Sequence, residues 1–451
     1  MASDKTKDIT GVMDDAPIQR IHISVLLISV MVALVDGFDN QTLAFTVPAM
    51  AIDWGIHTAD FAVAFSSGLT GMMFGSVLFG EIADRFGRRV VFVWATFLFG
   101  LVTLMMPFSQ DVSQLTGLRF VAGLGLGGLP TVMASLVSEY TPKKFRATFG
   151  NWAFIGIPTG GFVGGLSASY IIPIHGWEAV YFIGGGGTLL IALVAALGLP
   201  ESPSFLLRRK NDQAKVRGIL AQIAPESVFP ADTALVSQGD QEVKTSILSA
   251  FRDGRAVMTL MYWLAEIILL MGYYILVNWT PTLLIGAGLS MQIAMLGSAA
   301  LNVGGIVCGL VIGRLCDRLG ARRVVSAVFL VGALSLFLTT QAGSHVPLLM
   351  VSIFLSGAAF IGGQGAIVVL IANSYPASIR SISVGWALTV GRIGAIMSPA
   401  VVSIPLGWGW QAGQILLLPI LPAVIGALAV FLARPSSRTR IMPAASADVE
   451  T

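Results

Sequence analysis

Gly80-Glu81-Ile82-Ala83-Asp84-Arg85-Phe86-Gly87-Arg88-Arg89 is a charged, glycine-flanked stretch set between two long apolar runs. It is too short for anything but a tight hairpin, so the runs on either side are expected to be neighbouring antiparallel helices. A degenerate copy occupies Gly313 to Arg323: at an offset of 233 residues Gly80 maps to Gly313, Asp84 to Asp317, Arg85 to Arg318, Gly87 to Gly320 and Arg89 to Arg322. Further along, at an offset of 234, Pro142 maps to Pro376, Arg146 to Arg380, Trp152 to Trp386 and Gly160 to Gly394. A one-residue slip over such a length fits a duplicated unit. The flanking runs are roughly 20 residues each, the length a helix needs to cross a bilayer.

Extending outward gives twelve such runs, near 23–49, 60–80, 90–108, 113–139, 147–172, 178–199, 256–284, 291–313, 323–342, 346–373, 381–404 and 412–433. The composition agrees: 55% of the 451 residues are hydrophobic and only 11% charged, against about 25% charged in soluble domains. The first run is too long for a cleavable leader and carries two aspartates at its centre, and the short alternating segments of a β-barrel are absent. The expected fold is therefore an all-α membrane protein of two pseudo-symmetric six-helix bundles, residues 23–199 and 255–433. They are joined by a cytoplasmic loop at 200–254 and flanked by cytoplasmic tails at 1–22 and 434–451.

Lys and Arg set the orientation, because they concentrate on the cytoplasmic side. With both termini inside, 25 of the 27 fall in the tails and inward loops and none in an outward loop. The two remaining, Arg119 and Arg392, lie within spans. Trp54, Trp177, Trp279, Trp408 and Trp410 fall near outer span ends, where interfacial anchors belong. The net charge of +3 comes from the basic loops and does not point to a nucleic-acid surface. Cys308 and Cys316 fit no zinc site, the four His lie outside the spans, and no nucleophile–base set is present. No metal, cofactor or catalytic residue is expected.

Charge inside the membrane is where function is to be sought. Asp36 and Asp39 lie mid-span in the first helix, Arg119 in the fourth, Glu266 in the seventh and Arg392 in the eleventh. A central Asp or Arg costs about 2.5–3.5 kcal/mol in lipid, so the two Asp and two Arg would cost roughly 10–14 kcal/mol, comparable with a domain's whole stability of about 5–15 kcal/mol. They must face a cavity or one another. None has an ionisable counterpart in the other half: Asp36 maps to Leu269, Asp39 to Gly272 and Arg119 to Ser352. The shared residues have the distribution of machinery, the unshared ones that of chemistry.

Asp36 and Asp39, three apart, project from one helix face. Two such carboxylates repel and burial penalises charging both, so one is expected to hold a proton. The competing reading is a structural ion pair with Arg119, whose depth differs from that of Asp39 by roughly 6 Å at 1.5 Å per residue. Arg392, beside Gly391, Gly394 and Ala395, is the first choice for a substrate carboxylate, since a guanidinium grips one through two parallel donors. Arg119 is the second choice, and pairing of Arg392 with Glu266 is the competing assignment. Phe38, Phe45, Tyr273, Tyr274, Asn278, Phe360 and Gln364 could line an aromatic slot. Gly123-Leu124-Gly125-Leu126-Gly127-Gly128 formally contains G-x-G-x-x-G, but inside an apolar span it reads as a helix-packing surface. Gly156 with Gly160, Gly161 with Gly165, and Gly309 with Gly313 read the same way. Asp84 can cap a helix start and exchange a basic partner between conformations.

The ten-residue loop, its second copy and Pro200-Glu201-Ser202 resemble the major facilitator superfamily. Asp36-Gly37-Phe38-Asp39, a D-G-[FY]-D element, is similar to that of the aromatic acid:proton symporter family. So are Gly123 to Pro130, Ser138-Glu139-Tyr140 with Pro142 and Arg146, Trp279-Thr280-Pro281-Thr282-Leu283-Leu284, Tyr375-Pro376 with Arg380, and Gly391-Arg392-Ile393-Gly394-Ala395. The resemblance covers nearly the whole chain. It implies a multi-pass protein of the bacterial inner membrane that imports a small aromatic carboxylate of the hydroxybenzoate type with protons by alternating access, as a monomer. It implies that Asp36 and Asp39 serve coupling and that Arg392 and Arg119 serve transport. The candidate binding set then adds Phe38, Tyr274, Asn278, Gln364 and Glu266, and the cytoplasmic gating set is Gly80, Asp84, Arg85, Arg88, Glu139, Arg146, Asp317 and Arg380. An exporter or anion exchanger on the same fold is the alternative. Asn40-Gln41-Thr42 departs from the small residues expected after the acidic element and could tune substrate choice.

Overall fold

A computed structural model describes residues 6–210, 212–224, 233–236, 247–343 and 345–433. The expected tail at 434–451 and much of the 200–254 interval therefore lie outside the described residues. Among the described residues, twelve helices are long and apolar enough to cross a membrane. They are α1 (Arg20–Trp54), α2 (Thr58–Phe86), α3 (Arg88–Phe108), α4 (Val112–Tyr140), α5 (Thr148–His175), α6 (Glu178–Gly198), α7 (Ala256–Gly286), α8 (Met291–Leu319), α9 (Ala321–Gln341), α10 (Val346–Ser374), α11 (Ser378–Gly407) and α12 (Ala412–Leu432).

Packing repeats between the halves. In the first, α1 lies on α5, α2 on α4 and α3 on α6; in the second, α7 lies on α11, α8 on α10 and α9 on α12. Glycine makes these approaches possible, because helices in an apolar solvent associate by close backbone contact. A Cβ on Gly37 would overlap the Ile157 carbonyl of α5, and one on Gly123 or Gly127 would overlap backbone of α2 at Gly68 or Met72. Gly304 and Gly357 do the same between α8 and α10, and Gly394 between α11 and Ile267 of α7.

The halves meet through α1 with α7, α2 with α11 and α5 with α8. Call the end carrying Arg85–Arg89 and Arg314–Arg323 the basic end. The meeting surfaces lie in the opposite half of the bundle. There Phe65 packs on Trp279 at 5.5 Å between ring centroids, Ser66 Oγ donates to the Ile396 carbonyl at 3.1 Å, and Gly165 faces Met295 and Ala299. Toward the basic end, the glycines on the same helix faces have no close neighbour among the described residues. Residues seven or eleven apart share a face, so Gly150 lies under Gly161, Gly309 and Gly313 under Asn302, and Gly385 under Arg392. A Cβ on any of Gly150, Gly309, Gly313 or Gly385 has open space around it. The bundle is thus closed at the far end and splayed at the basic end.

Four sequence expectations are corrected. Asp84 does not cap a helix start: α2 runs on to Phe86, and Gly87, at φ +109°, makes the break. Gly309 and Gly313 are not at a close helix approach in this conformation. Trp177 and Trp279 are buried, while Trp408 and Trp410 are exposed as anchors would be. His22 and His175 lie inside the spans, in the first turn of α1 and at the last residue of α5, and the His22 ring accepts from the Gln19 N–H at 2.7 Å. At the basic end a short helix, Ile9–Asp15, follows a strand, Thr6–Asp8, that pairs in parallel with Ala234–Val236.

Candidate functional site

Asp39 sits in a polar pocket within the first half. Its Oδ1 accepts from Thr103 Oγ1 of α3 at 2.5 Å, and its Oδ2 lies 3.6 Å from an Arg119 Nη1 of α4. The same Nη1 donates to the Asp39 carbonyl at 3.3 Å. At 3.6 Å the charge contact is an ion pair rather than a hydrogen bond. Asp39 Oδ2 and Arg119 Nε have no hydrogen-bond partner among the described residues. Both side chains are almost wholly buried, at 1% and 5% exposure, so the pair is screened little by solvent. The guanidinium packs against Gly68 of α2.

Asp36 is placed differently. Buried one helical turn toward the basic end from Asp39, it has no hydrogen bond or ion pair to another described residue. It lies within electrostatic reach of Tyr273 and Tyr274 on α7 of the other half, whose rings meet edge to face at 4.7 Å. Tyr274 also lies within hydrogen-bonding reach of Asn40 and electrostatic reach of Arg392. Arg392, half-buried on α11, reaches across to α2, where its Nη1 donates to Ser76 Oγ at 2.5 Å and to the Met72 carbonyl at 3.4 Å. Helices α1, α7, α11 and α2, two from each half, thus bring Asp36, Tyr274, Arg392 and Ser76 around one locus.

Glu266 of α7 does not pair with Arg392. Its Oε1 accepts from Gln364 Nε2 of α10 at 2.6 Å. Asn278, buried, stands one turn beyond Tyr274 on the same face of α7. Phe38 is not at this locus: a Cβ on Gly164 or Gly184 would run into its ring, which packs with Phe45, Ala168 and Val180 between α5 and α6. Arg119 likewise stays within the first half with Asp39. Of the substrate candidates, Arg392 and Tyr274 come together, Glu266 and Gln364 form a pair, and Arg119 and Phe38 lie apart from both.

Sequence reasoning missed Gln41 with Asn302. These two side-chain amides, on α1 and α8 of opposite halves, exchange both hydrogen bonds, at 3.0 and 2.9 Å, and Asn302 also donates to the Ser298 carbonyl at 2.9 Å. The signal was available, since a buried amide in an apolar span must find a partner. Gly161 lets the pair close, because a Cβ there would overlap the Gln41 amide. Gln41 is therefore tied to the closed end, and Thr42 to its own helix, donating to the Phe38 carbonyl at 2.8 Å. Asn302→Leu is expected to loosen this closure. It strands the Gln41 amide only while the end is shut, at a cost of about 1–3 kcal/mol, a shift of about 5- to 150-fold toward the far-end-open state. Thiol labelling of Ala299→Cys, with Cys308 and Cys316 replaced by serine, reads this out. Unchanged labelling would show that the amide pair does not hold the closure.

At the basic end the gating candidates divide by half. Arg88 pairs with Glu139, which accepts from Ser202 Oγ at 2.5 Å. Glu201 accepts from the backbone N–H of Arg89 at 3.1 Å, placing a carboxylate at the start of α3 where the helix dipole favours one. Arg146 donates to the Ser138 carbonyl at 2.9 Å and pairs with Asp14 at 2.5 Å. Asp84, Asp317 and Arg380 are exposed and form no ion pair among the described residues. Arg85 lies 5.5 Å from the Phe86 ring, and Gly80 faces open space.

Known proteins share this framework. The family model described as Major Facilitator Superfamily matches residues 30–309 and 293–448. The chain is 33% identical over 426 residues to the 4-hydroxybenzoate transporter PcaK of Pseudomonas aeruginosa, covering 94% of this chain and 95% of that one. It is 31% identical over 443 residues to the gallate transporter of Pseudomonas putida, covering 98% of each. Among solved structures, a bacterial homolog of the human lysosomal transporter Spinster, inward-facing and unoccupied, superposes with a TM-score of 0.72 at 15% identity, covering 92% of this chain and 98% of that one.

Proposed function

The chain belongs to the Major Facilitator Superfamily, and on that premise we propose that it imports a small, hydroxybenzoate-like aromatic carboxylate together with protons. Its work is transport across a membrane, not covalent chemistry. The basic end is cytoplasmic, with both termini inside, and the splayed conformation is inward-open. The membrane is the bacterial inner membrane, the two six-helix bundles are the rocking bodies, and one copy suffices.

The observation that carries the proposal is the convergence of Asp36 and Arg392, from opposite halves, on Tyr274. Arg392 binds the cargo's carboxylate with the guanidinium nitrogens that Ser76 and Met72 leave free. Tyr273 and Tyr274 offer ring edges and faces to the aromatic body. Asp36 carries the proton, since a buried carboxylate without a counter-charge crosses the barrier most cheaply with its proton on. Asp39, held by Arg119 and Thr103, fixes that stretch of α1 and completes the coupling pair. A site at the junction of two like halves is reached from either side in turn as they rock. The Arg88–Glu139 pair and the exposed Asp84, Asp317 and Arg380 form the inward gate, available to one another once the basic end closes.

The test is uptake of a radiolabelled hydroxybenzoate into energised vesicles. A protonophore is expected to abolish accumulation. Accumulation that persists, driven by counterflow of a second anion, would replace symport by exchange.

A further inference from the structure

Helix α10 is interrupted at Ile361 and Gly362, where both N–H groups turn back to the Gly357 carbonyl at 2.9 and 3.2 Å. The second segment, Gly363–Ser374, begins with Gln364 in its first turn. The break presents this side chain to Glu266 of α7. Their one bond, from Gln364 Nε2 to Glu266 Oε1, leaves two oxygens over. Glu266 Oε2 and Gln364 Oε1 are both buried acceptors, and neither has a partner among the described residues. Glu266 is fully buried.

An acid–amide pair kept only to hold α7 on α10 would not be left this way. Each unmet buried acceptor costs about 1–3 kcal/mol, and a hydrophobic pair of the same size would pack those helices without that cost. No cation answers the carboxylate either: among the described residues Glu266 has no ion pair, and Arg392, whose neighbour Gly391 packs against Glu266, turns away to Ser76. The two oxygens lack a hydrogen-bond donor. An anionic group is repelled here, and an apolar one would leave both acceptors unmet.

Resting on the transport reading above, we propose that Glu266 and Gln364 form the subsite that reads a hydroxyl on the cargo's ring. The carboxylate end is held at Arg392, and the hydroxyl donates into the acceptor pair. A site built around unmet acceptors rejects the analogue without the donor, because that analogue leaves them buried and unpaired. The subsite thus selects hydroxylated aromatic acids over acids of equal size that lack the hydrogen.

The experiment compares 4-hydroxybenzoate with 4-methoxybenzoate, and 3-hydroxybenzoate with 3-methoxybenzoate. It uses uptake into vesicles and equilibrium binding to the purified full-length protein without a proton gradient. The wild type is expected to prefer one hydroxy acid over its methoxy partner by about tenfold or more. Glu266→Gln, which puts an N–H where an acceptor stood, and Gln364→Met, which removes the amide, should each bring that ratio toward one in both assays. A wild type that accumulates benzoate but treats hydroxy and methoxy acids alike overturns the subsite and leaves the transport reading standing. Variants that lower every acid in equal proportion also overturn it, and variants that lose only the dependence on the proton gradient overturn it and make Glu266 a proton carrier instead. A wild type that accumulates no aromatic acid overturns both.

Discussion

Arg119→Leu is expected to abolish uptake and to lower thermal stability more than any other single change among the intramembrane charges. The substitution leaves Asp39 buried without a counter-ion, and breaking a buried pair by removing one partner costs about 3–5 kcal/mol. Thr103 supplies one hydrogen bond to Asp39, which does not neutralise a charge. The double variant Arg119→Leu with Asp39→Asn should regain much of the lost stability, because the uncompensated charge is gone, yet remain inactive. Arg119→Lys keeps the charge but gives up the rigid guanidinium whose Nη1 contacts both the carboxylate and the carbonyl of Asp39. It should fold well and transport at least tenfold more slowly. Thermal unfolding in detergent, set beside vesicle uptake, separates these outcomes. An Arg119→Leu protein as stable as the wild type would mean that the ion pair does not carry the first half.

The architecture was largely legible because its causes are local and repeated. Span length follows from bilayer thickness, and the copy of Gly80–Arg89 at Gly313–Arg322 marks the duplication whatever the tertiary detail. Depth counting along two helices brought Arg119 within reach of Asp39, and the two lie 3.6 Å apart. The rest depends on which faces meet, and that information is not in the periodicity. A span surrounded on all sides has no apolar stripe, so Trp279, wholly buried against Phe65, looks like an interfacial tryptophan in sequence. The contacts of Arg392 on α2, like the Gln41–Asn302 pair, join residues hundreds of positions apart on opposite halves, so no local pattern announces them. Gly309 and Gly313 show the same limit from the other side. Small residues permit a close approach of helices, but the conformation decides whether one occurs, and here the space beside them is open.

Asp36→Asn should separate coupling from translocation. One proton carried with a monoanion makes the step electroneutral, so accumulation follows the pH difference, worth about 1.4 kcal/mol per unit, or tenfold in concentration. With no group at position 36 able to release a proton inside, accumulation should fall to the equilibrium ratio, while exchange of labelled for unlabelled substrate continues. Stability gives an independent sign. Asp36 has no partner among the described residues, so removing its ability to ionise should leave the melting temperature unchanged or raise it. Asp39→Asn, three residues along the same helix, should lower it by stranding Arg119. Opposite shifts from two chemically identical substitutions would be hard to obtain if the aspartates were interchangeable. Full accumulation by Asp36→Asn would instead assign the proton to Asp39 or Glu266, and Arg392 would then meet its cargo without a carboxylate of α1 taking part.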